Sequence, residues 1–206
     1  ILETGKYDTE KAAGVAFMIR TDKNYNWIPE LGRSPFVCIK VPTGGGKTLI
    51  AAHSAGVVFK DYLGERSDRG LAMWFVPSDA IKTQTLDNLR NRNHPYREVL
   101  DERFDNAVQV FDLPEAKVMK KDDLADNLVV STLSAFRRTN KEWLKAYQDN
   151  GALMTHFEGL NAADFDFLDK DKEREIIYSL ANVIKLHNPL VIVDEGHNVQ
   201  TDLSFD

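Results

Sequence analysis

The sequence predicts an α/β protein of three layers, a mostly parallel sheet flanked by helices, and three observations carry that expectation. Short runs of β-favouring apolar residues recur along the 206-residue chain. Segments of helical period separate them, which is what the crossover connections of a parallel sheet require. The glycine triplet of VPTGGGKTL, residues 41–49, stands between the first such run and an apolar helix.

In chain order, the apolar residues of KAAGVAFMIR recur at helical spacing, so residues 8–20 read as an amphipathic helix with Ala12, Val15, Ala16 and Ile19 facing inward. Residues 36–41, FVCIKV, form a nearly continuous apolar run, the mark of a strand covered on both faces, with Cys38 as a small core residue. Residues 47–59 are apolar on almost every side, as in a helix buried against a sheet, and His53 reads as a packing residue within it. A second strand is expected at 71–76, ending at Pro77 and carrying Trp74 into the core. SDAIKTQTLDNLRN then supplies a Ser or Asp cap and a helical period. Further strands are expected at 108–113, 127–131 and 190–193. Between about 137 and 187 lies a helical excursion, whose last helix, EREIIYSLANVIKLH, places Ile176, Leu180, Val183 and Ile184 on one face for docking on the sheet. Residues 1–206 are read as a single domain.

Composition narrows the functional classes. With 43% hydrophobic and 28% charged residues the chain resembles ordinary globular proteins and not disordered ones. A net charge of -6 argues against a basic surface overall, while leaving room for a local phosphate-gripping groove. One cysteine excludes a disulfide framework and a cysteine-based zinc site. No apolar run approaches the roughly 20 residues of a membrane helix, and ILETGKYDTEK lacks the pattern of a signal peptide, so a cytoplasmic location and no membrane partner are expected. The chain begins at Ile1 and stops a few residues past its second strong motif, as expected of a piece of a larger polypeptide.

The glycines answer a chemical need. A loop that wraps a polyphosphate points several N–H groups inward and approaches oxygen atoms more closely than a Cβ permits, which only glycine allows cheaply. The next helix offers its N-terminus to the same anion. On this reading Thr43, Gly44, Gly45 and Gly46 cradle the phosphates, Lys47 neutralises the β and γ groups, and the hydroxyl of Thr48 ligates Mg²⁺, although alone the motif indicates only phosphate binding. Val41 stands where the usual pattern has its first glycine. A glycine-rich turn that merely precedes a lysine is the competing reading. In PLVIVDEGHN, residues 189–198, acidic residues follow an apolar run, which in a parallel sheet places them in the crevice beyond the strand ends. Asp194 would hold Mg²⁺ through its water shell and Glu195 would orient and deprotonate an attacking water. A solvated helix cap is the alternative for that pair.

Together GGGKT and DEGH resemble motifs I and II of the superfamily 2 helicases and translocases, the DEAD/DEAH group, which tolerates loss of the first glycine. VPSDAIKTQT, residues 76–85, is similar to motif Ia, and VVSTLSAF, residues 129–136, to motif Ib. Gly196 with His197, and the trailing NVQTDLSFD, are most similar to the helicase-like subunit of type III restriction enzymes, so the resemblance is to the first, N-terminal RecA-like domain of such a protein. It implies backbone contacts to nucleic acid, double-stranded DNA, through Ser78, Gln84, Ser131 and Thr132, and a role for His197 in coupling the nucleotide site to the nucleic-acid side. It also implies ATP hydrolysis with Mg²⁺, a second RecA-like domain in the same polypeptide, and a methyltransferase or other restriction-system subunit as partner. Hydrolysis in this group needs an arginine finger from that second domain, and no Ser-Ala-Thr motif follows here, so residues 1–206 alone are expected to be nearly inactive. The glutamine motif that reads adenine is absent, since the first glutamine is Gln84.

Other classes stay in view. A non-motor phosphate-binding protein or small-molecule kinase would carry the same glycine loop. FDLPEAK sets Asp112, Glu115 and Lys117 in a nuclease-like order, although the spacing is tight for two carboxylates on one metal and a surface loop is the plainer reading. DFDFLDKDK lacks the glycine of a calcium loop and reads as a solvated turn. The remaining histidines, His94, His156 and His187, form no ligand spacing in the sequence.

Overall fold

The computed structural model describes residues 10–26, 28, 35–42, 44–59, 70–121, 127–132, 146–161, 163, 165–173 and 175–195. The chain divides into two compact units, Ile1–Asp68 and Arg69–Asp206.

In the first unit, α1 (Glu10–Thr21) ends at Asp22, whose positive φ of 55° lets its N–H reach back to the Met18 carbonyl at 2.8 Å. Val15 and Ile19, expected inward, are 42% and 69% exposed. The contact that α1 makes comes from Phe17 instead, whose ring meets Tyr25 edge-on at 5.3 Å. Residues 36–41 do not form the expected strand. The Tyr25 hydroxyl donates to the Phe36 carbonyl at 2.8 Å and accepts its N–H at 2.5 Å, occupying the groups that a neighbouring strand would use. Phe36, Val37 and Ile39 are exposed, as is Cys38, so the core role expected of that cysteine is corrected. The second helix, α2 (Lys47–Val57), buries Ala52, Ala55 and Gly56, while His53 is exposed and does not pack as expected.

The second unit holds the sheet. Four strands, β1 (Leu71–Val76), β2 (Gln109–Asp112), β3 (Asn127–Thr132) and β4 (Leu190–Val193), lie in the order β2-β3-β1-β4, and every pairing is parallel. Central position explains why all six residues of β1 are buried and read as an unbroken apolar run. Trp74 is fully buried, as expected, whereas Trp27 and Trp143 lie outside the described residues. Helices α3 (Asp79–Arg90), α4 (Pro95–Arg103) and α5 (Leu180–His187) accompany the sheet. Local chemistry sets their ends. Ser78 caps α3; Pro95 opens α4 behind a His94 cap at 3.3 Å from the Tyr96 N–H; Ser179 caps α5, which stops at Asn188 with φ 44° before Pro189.

The excursion differs from expectation. Its first helix falls partly outside the described residues, and the next element is a 3₁₀ turn, Gly151–His156. The last helix begins at Leu180, not near residue 173. Asn182 accounts for the shift: its amide donates to the carbonyls of Asp169 and Ile177 and accepts the Asp169 N–H, drawing residues 169–177 into a pinned hairpin closed by the Lys170–Ile176 bridge. Docking on the sheet is nonetheless found, for Leu180 and Val183 share one core with Leu71, Met73, Phe75 and Val129, and Ile176 packs beside it. The acidic run spends its carboxylates locally: Asp171 accepts the N–H groups of Glu173 and Glu175, and Asp169 pairs with Lys185 at 2.8 Å.

One buried ion pair links the layers on the other side. Arg97 donates to Asp101 at 2.7 Å, to the Leu89 carbonyl of α3 and to the Val108 carbonyl before β2, and Arg92 also reaches Asp101 at 3.1 Å. Removing the carboxylate would strand a buried guanidinium. Asp101→Ala is therefore expected to cost about 3–5 kcal/mol in urea unfolding, a larger loss than exposed Asp79→Ala, whose carboxylate pairs with Lys82 at the surface.

Candidate nucleotide site

The glycine loop belongs to the first unit and the acidic pair to the second. In the glycine loop, Gly44 and Gly46 hold φ of 78° and 77°, the left-handed region that other residues enter at a cost. Gly45 donates to the Pro42 carbonyl at 3.0 Å, and a Cβ built on it would meet Val41 Cγ1 at 2.5 Å and the Pro42 oxygen at 3.0 Å. Val41, in place of the usual first glycine, thus leaves Gly45 no room for a Cβ. Gly46 is the cap of α2 and supplies no side-chain acceptor, and no acidic residue lies in the first turn. A helix start with no side chain on its cap and no first-turn acid leaves its positive dipole end suited to an anion. Lys47 and Thr48 are half-buried at this turn, and Thr43 lies outside the described residues.

The acidic pair sits where β4 ends. The Asp194 N–H donates to the Phe75 carbonyl at 2.8 Å, extending the β1–β4 ladder by one residue, and Asp194 Oδ1 accepts the Glu195 N–H at 2.9 Å. Glu195 has φ of 53°, an outlier for a residue with a long side chain, costing roughly 1–2 kcal/mol. The turn so formed takes both half-buried residues out of the sheet at its carboxyl edge. Gly196 and His197 lie outside the described residues.

The remaining expected contacts divide by exposure. Ser78 and Gln84 are exposed, Ser78 as the α3 cap that accepts the Ile81 N–H at 3.4 Å. Ser131 and Thr132 end β3 in register with Phe75 and Val76 and are only 1% and 2% exposed. The nuclease-like trio is a turn lock: Asp112 and Glu115 accept each other's N–H groups at 2.8 Å, and Arg90 pairs with Glu115 while donating to the Val110 carbonyl. Two contacts lay beyond sequence reasoning. The Tyr25 clamp on Phe36 spans 11 residues and His156 meets His187 across 31, separations that no spacing rule covers. The Arg97–Asp101 pair did carry a signal, the i,i+4 spacing on a helix, although its burial did not.

The two glycine classes can be separated by measurement. Gly46→Ala, forced to a positive φ, is expected to lower the urea midpoint by an amount worth about 1 kcal/mol or more. Gly14→Ala, in α1 with open space about its Cβ, is expected to raise it slightly.

A scan against protein-family models matches residues 25–205 to the type III restriction enzyme, res subunit. Searches of curated proteins and of solved structures find no match. The all-parallel sheet flanked by helices, the glycine loop leading into α2 and the acidic turn after β4 agree with that assignment, and no helix among the described residues is long and apolar enough to cross a membrane. The chain belongs to the family of the type III restriction enzyme res subunit, and is a helicase-like, ATP-binding P-loop domain of the RecA-like α/β fold.

Proposed function

We propose that this chain is the ATP-binding half of a nucleic-acid-dependent motor, directed to double-stranded DNA within a cytoplasmic restriction enzyme of this type, and that Lys47 and Asp194 act on one Mg²⁺-bound triphosphate. Residues 1–206 would serve as a single motor domain, with the excursion at 137–187 as an insertion in it. The observation that carries the reading is the glycine loop itself: two left-handed glycines, a third with no room for a Cβ, and a helix that starts directly after them at Lys47. Such a loop answers to a polyphosphate, and the family answers to ATP.

The residues present suit the group they would hold. Amides of residues 43–46 and the ammonium of Lys47 would face phosphate oxygens; the Thr48 hydroxyl and the Asp194 carboxylate are oxygen donors of the kind Mg²⁺ takes. When bound, the metal draws charge from the β and γ phosphates. Glu195 takes the proton of the attacking water as the bond to the leaving oxygen breaks. Ser78 and Gln84, both exposed, would touch the nucleic-acid backbone; Ser131 and Thr132, buried at the end of β3, would contribute from the strand end. His197 would couple the two sides. A second RecA-like domain and a methyltransferase or other subunit of the restriction system are the proposed protein partners.

Lys47→Ala is expected to abolish nucleotide binding in a fluorescent-ATP titration, whereas Glu195→Gln keeps binding and loses turnover in the intact enzyme. Equal binding by both variants would overturn the division of roles. Turnover by the intact protein is expected to rise on adding DNA; phosphorylation of a small acceptor with indifference to DNA would instead mark a kinase. Residues 1–206 alone are expected to hydrolyse ATP hardly at all, and robust turnover by them would remove the need for a finger from a second domain.

A further inference from the structure

Asn150–Gly151 is the one Asn-Gly pair in the sequence, and such a pair carries chemistry of its own. A backbone nitrogen can attack the carboxamide carbon of the asparagine before it, and glycine, having no Cβ, leaves that nitrogen uncrowded. Gly151 is exposed, so water and hydroxide reach it.

In the fold the asparagine is held against this reaction. Its Oδ1 accepts the Ala152 N–H at 3.1 Å and its Nδ2 donates to the Lys117 carbonyl at 2.7 Å, which fixes the plane of the carboxamide. Its backbone N–H donates to the Tyr178 carbonyl at 2.9 Å, its carbonyl accepts the Leu153 N–H at 2.9 Å, and the Tyr178 N–H donates in return to Asp149 Oδ1 at 2.9 Å. Ring closure needs the Gly151 nitrogen on the Cβ side of the Asn150 Cα–C bond. At the observed ψ of 104° it lies on the far side, so the chain must turn about that bond first, and cannot do so with the Ala152 and Leu153 bonds in place. Asn150 thus joins three stretches of chain: the 3₁₀ turn Glu115–Val118, the turn Gly151–His156 that it caps, and the residues leading into α5.

We infer that Asn150–Gly151 is a self-modification site, dormant while this joint is closed and consumed when it opens. In the step, the Gly151 nitrogen gives its proton to hydroxide and bonds to Asn150 Cγ, the Cγ–Nδ2 bond breaks, and Nδ2 leaves as ammonia with a proton from water, which regenerates the hydroxide. Water then opens the five-membered imide at either carbonyl, giving aspartate or an isoaspartate whose backbone is one methylene longer. The change is one-way. Either product lacks the Nδ2 donor, and a carboxylate oxygen would face the Lys117 carbonyl, acceptor against acceptor, across the former 2.7 Å. Isoaspartate also alters the spacing between the N–H and the carbonyl that meet Tyr178 and Leu153.

The test is peptide mass analysis of the 206-residue chain held in mildly alkaline buffer, folded and in urea, beside Gly151→Ala and Asn150→Asp. The unfolded chain is expected to convert Asn150 to a mixture of aspartate and isoaspartate, and the folded chain to do so at least about tenfold more slowly, since only its open fraction reacts. Equal rates, or no conversion in the unfolded chain, would overturn the inference. Alanine at 151 has open space about its Cβ, so that variant is expected to fold like the unaltered chain and to convert more slowly when unfolded; an unslowed rate would overturn the attack by the Gly151 nitrogen. Asn150→Asp is expected to lower the urea midpoint, and an unchanged midpoint would overturn the joint.

Discussion

A single backbone hydrogen bond, from the Asp194 N–H to the Phe75 carbonyl, carries the sheet into the candidate site. It can form only because β1 lies between β3 and β4 with all of its residues buried, so that the register Ala72–Leu190 to Phe75–Val193 is fixed by packing on both faces. A one-residue slip would turn every side chain of β4 to the opposite face. The ladder ends at Asp194 because Glu195 leaves it in a left-handed conformation, with its N–H captured by the Asp194 carboxylate. Position of the acid and direction of its neighbour are thus consequences of how a hydrophobic strand is buried.

The glycine loop works by the opposite device. There the constraint is absence of side chains: backbone that must turn left-handed at Gly44 and Gly46, and pack against Val41 at Gly45, cannot carry Cβ atoms without strain. The acidic turn is placed by what is packed and the glycine loop by what is missing. Both leave polar groups at the ends of regular elements.

Much of the fold was legible. The four strands were readable as short apolar runs, unbroken in β1 because it is buried on both faces, and α3 has a serine cap that the eye can find. Residues 36–41 carry the same kind of run and form no strand, since the Tyr25 phenol engages the Phe36 backbone from 11 residues away, a choice of partner that a pattern of apolar residues does not encode. The start of α5 was misplaced for a related reason: helical period extends back to Ile176, but Asn182 finds better use for its amide in pinning residues 169–177. The histidine pair was illegible because nothing in a sequence says which of two distant imidazoles will be buried against each other. Motif spacing picked out the glycine loop and the strand-end acids, whose conformations are local consequences of local sequence.

The central claim is that Lys47 and Asp194, 147 positions apart in the sequence, serve one metal-bound triphosphate. Its most direct test is paramagnetic broadening by Mn²⁺ added with ATP to isotopically labelled protein, because the effect reaches only nuclei near the ion. The account predicts that one equivalent of Mn²⁺-ATP broadens the resonances of residues 44–48 and of Asp194 and Glu195 together. Broadening of the glycine loop alone, with Asp194 and Glu195 unaffected, would contradict it.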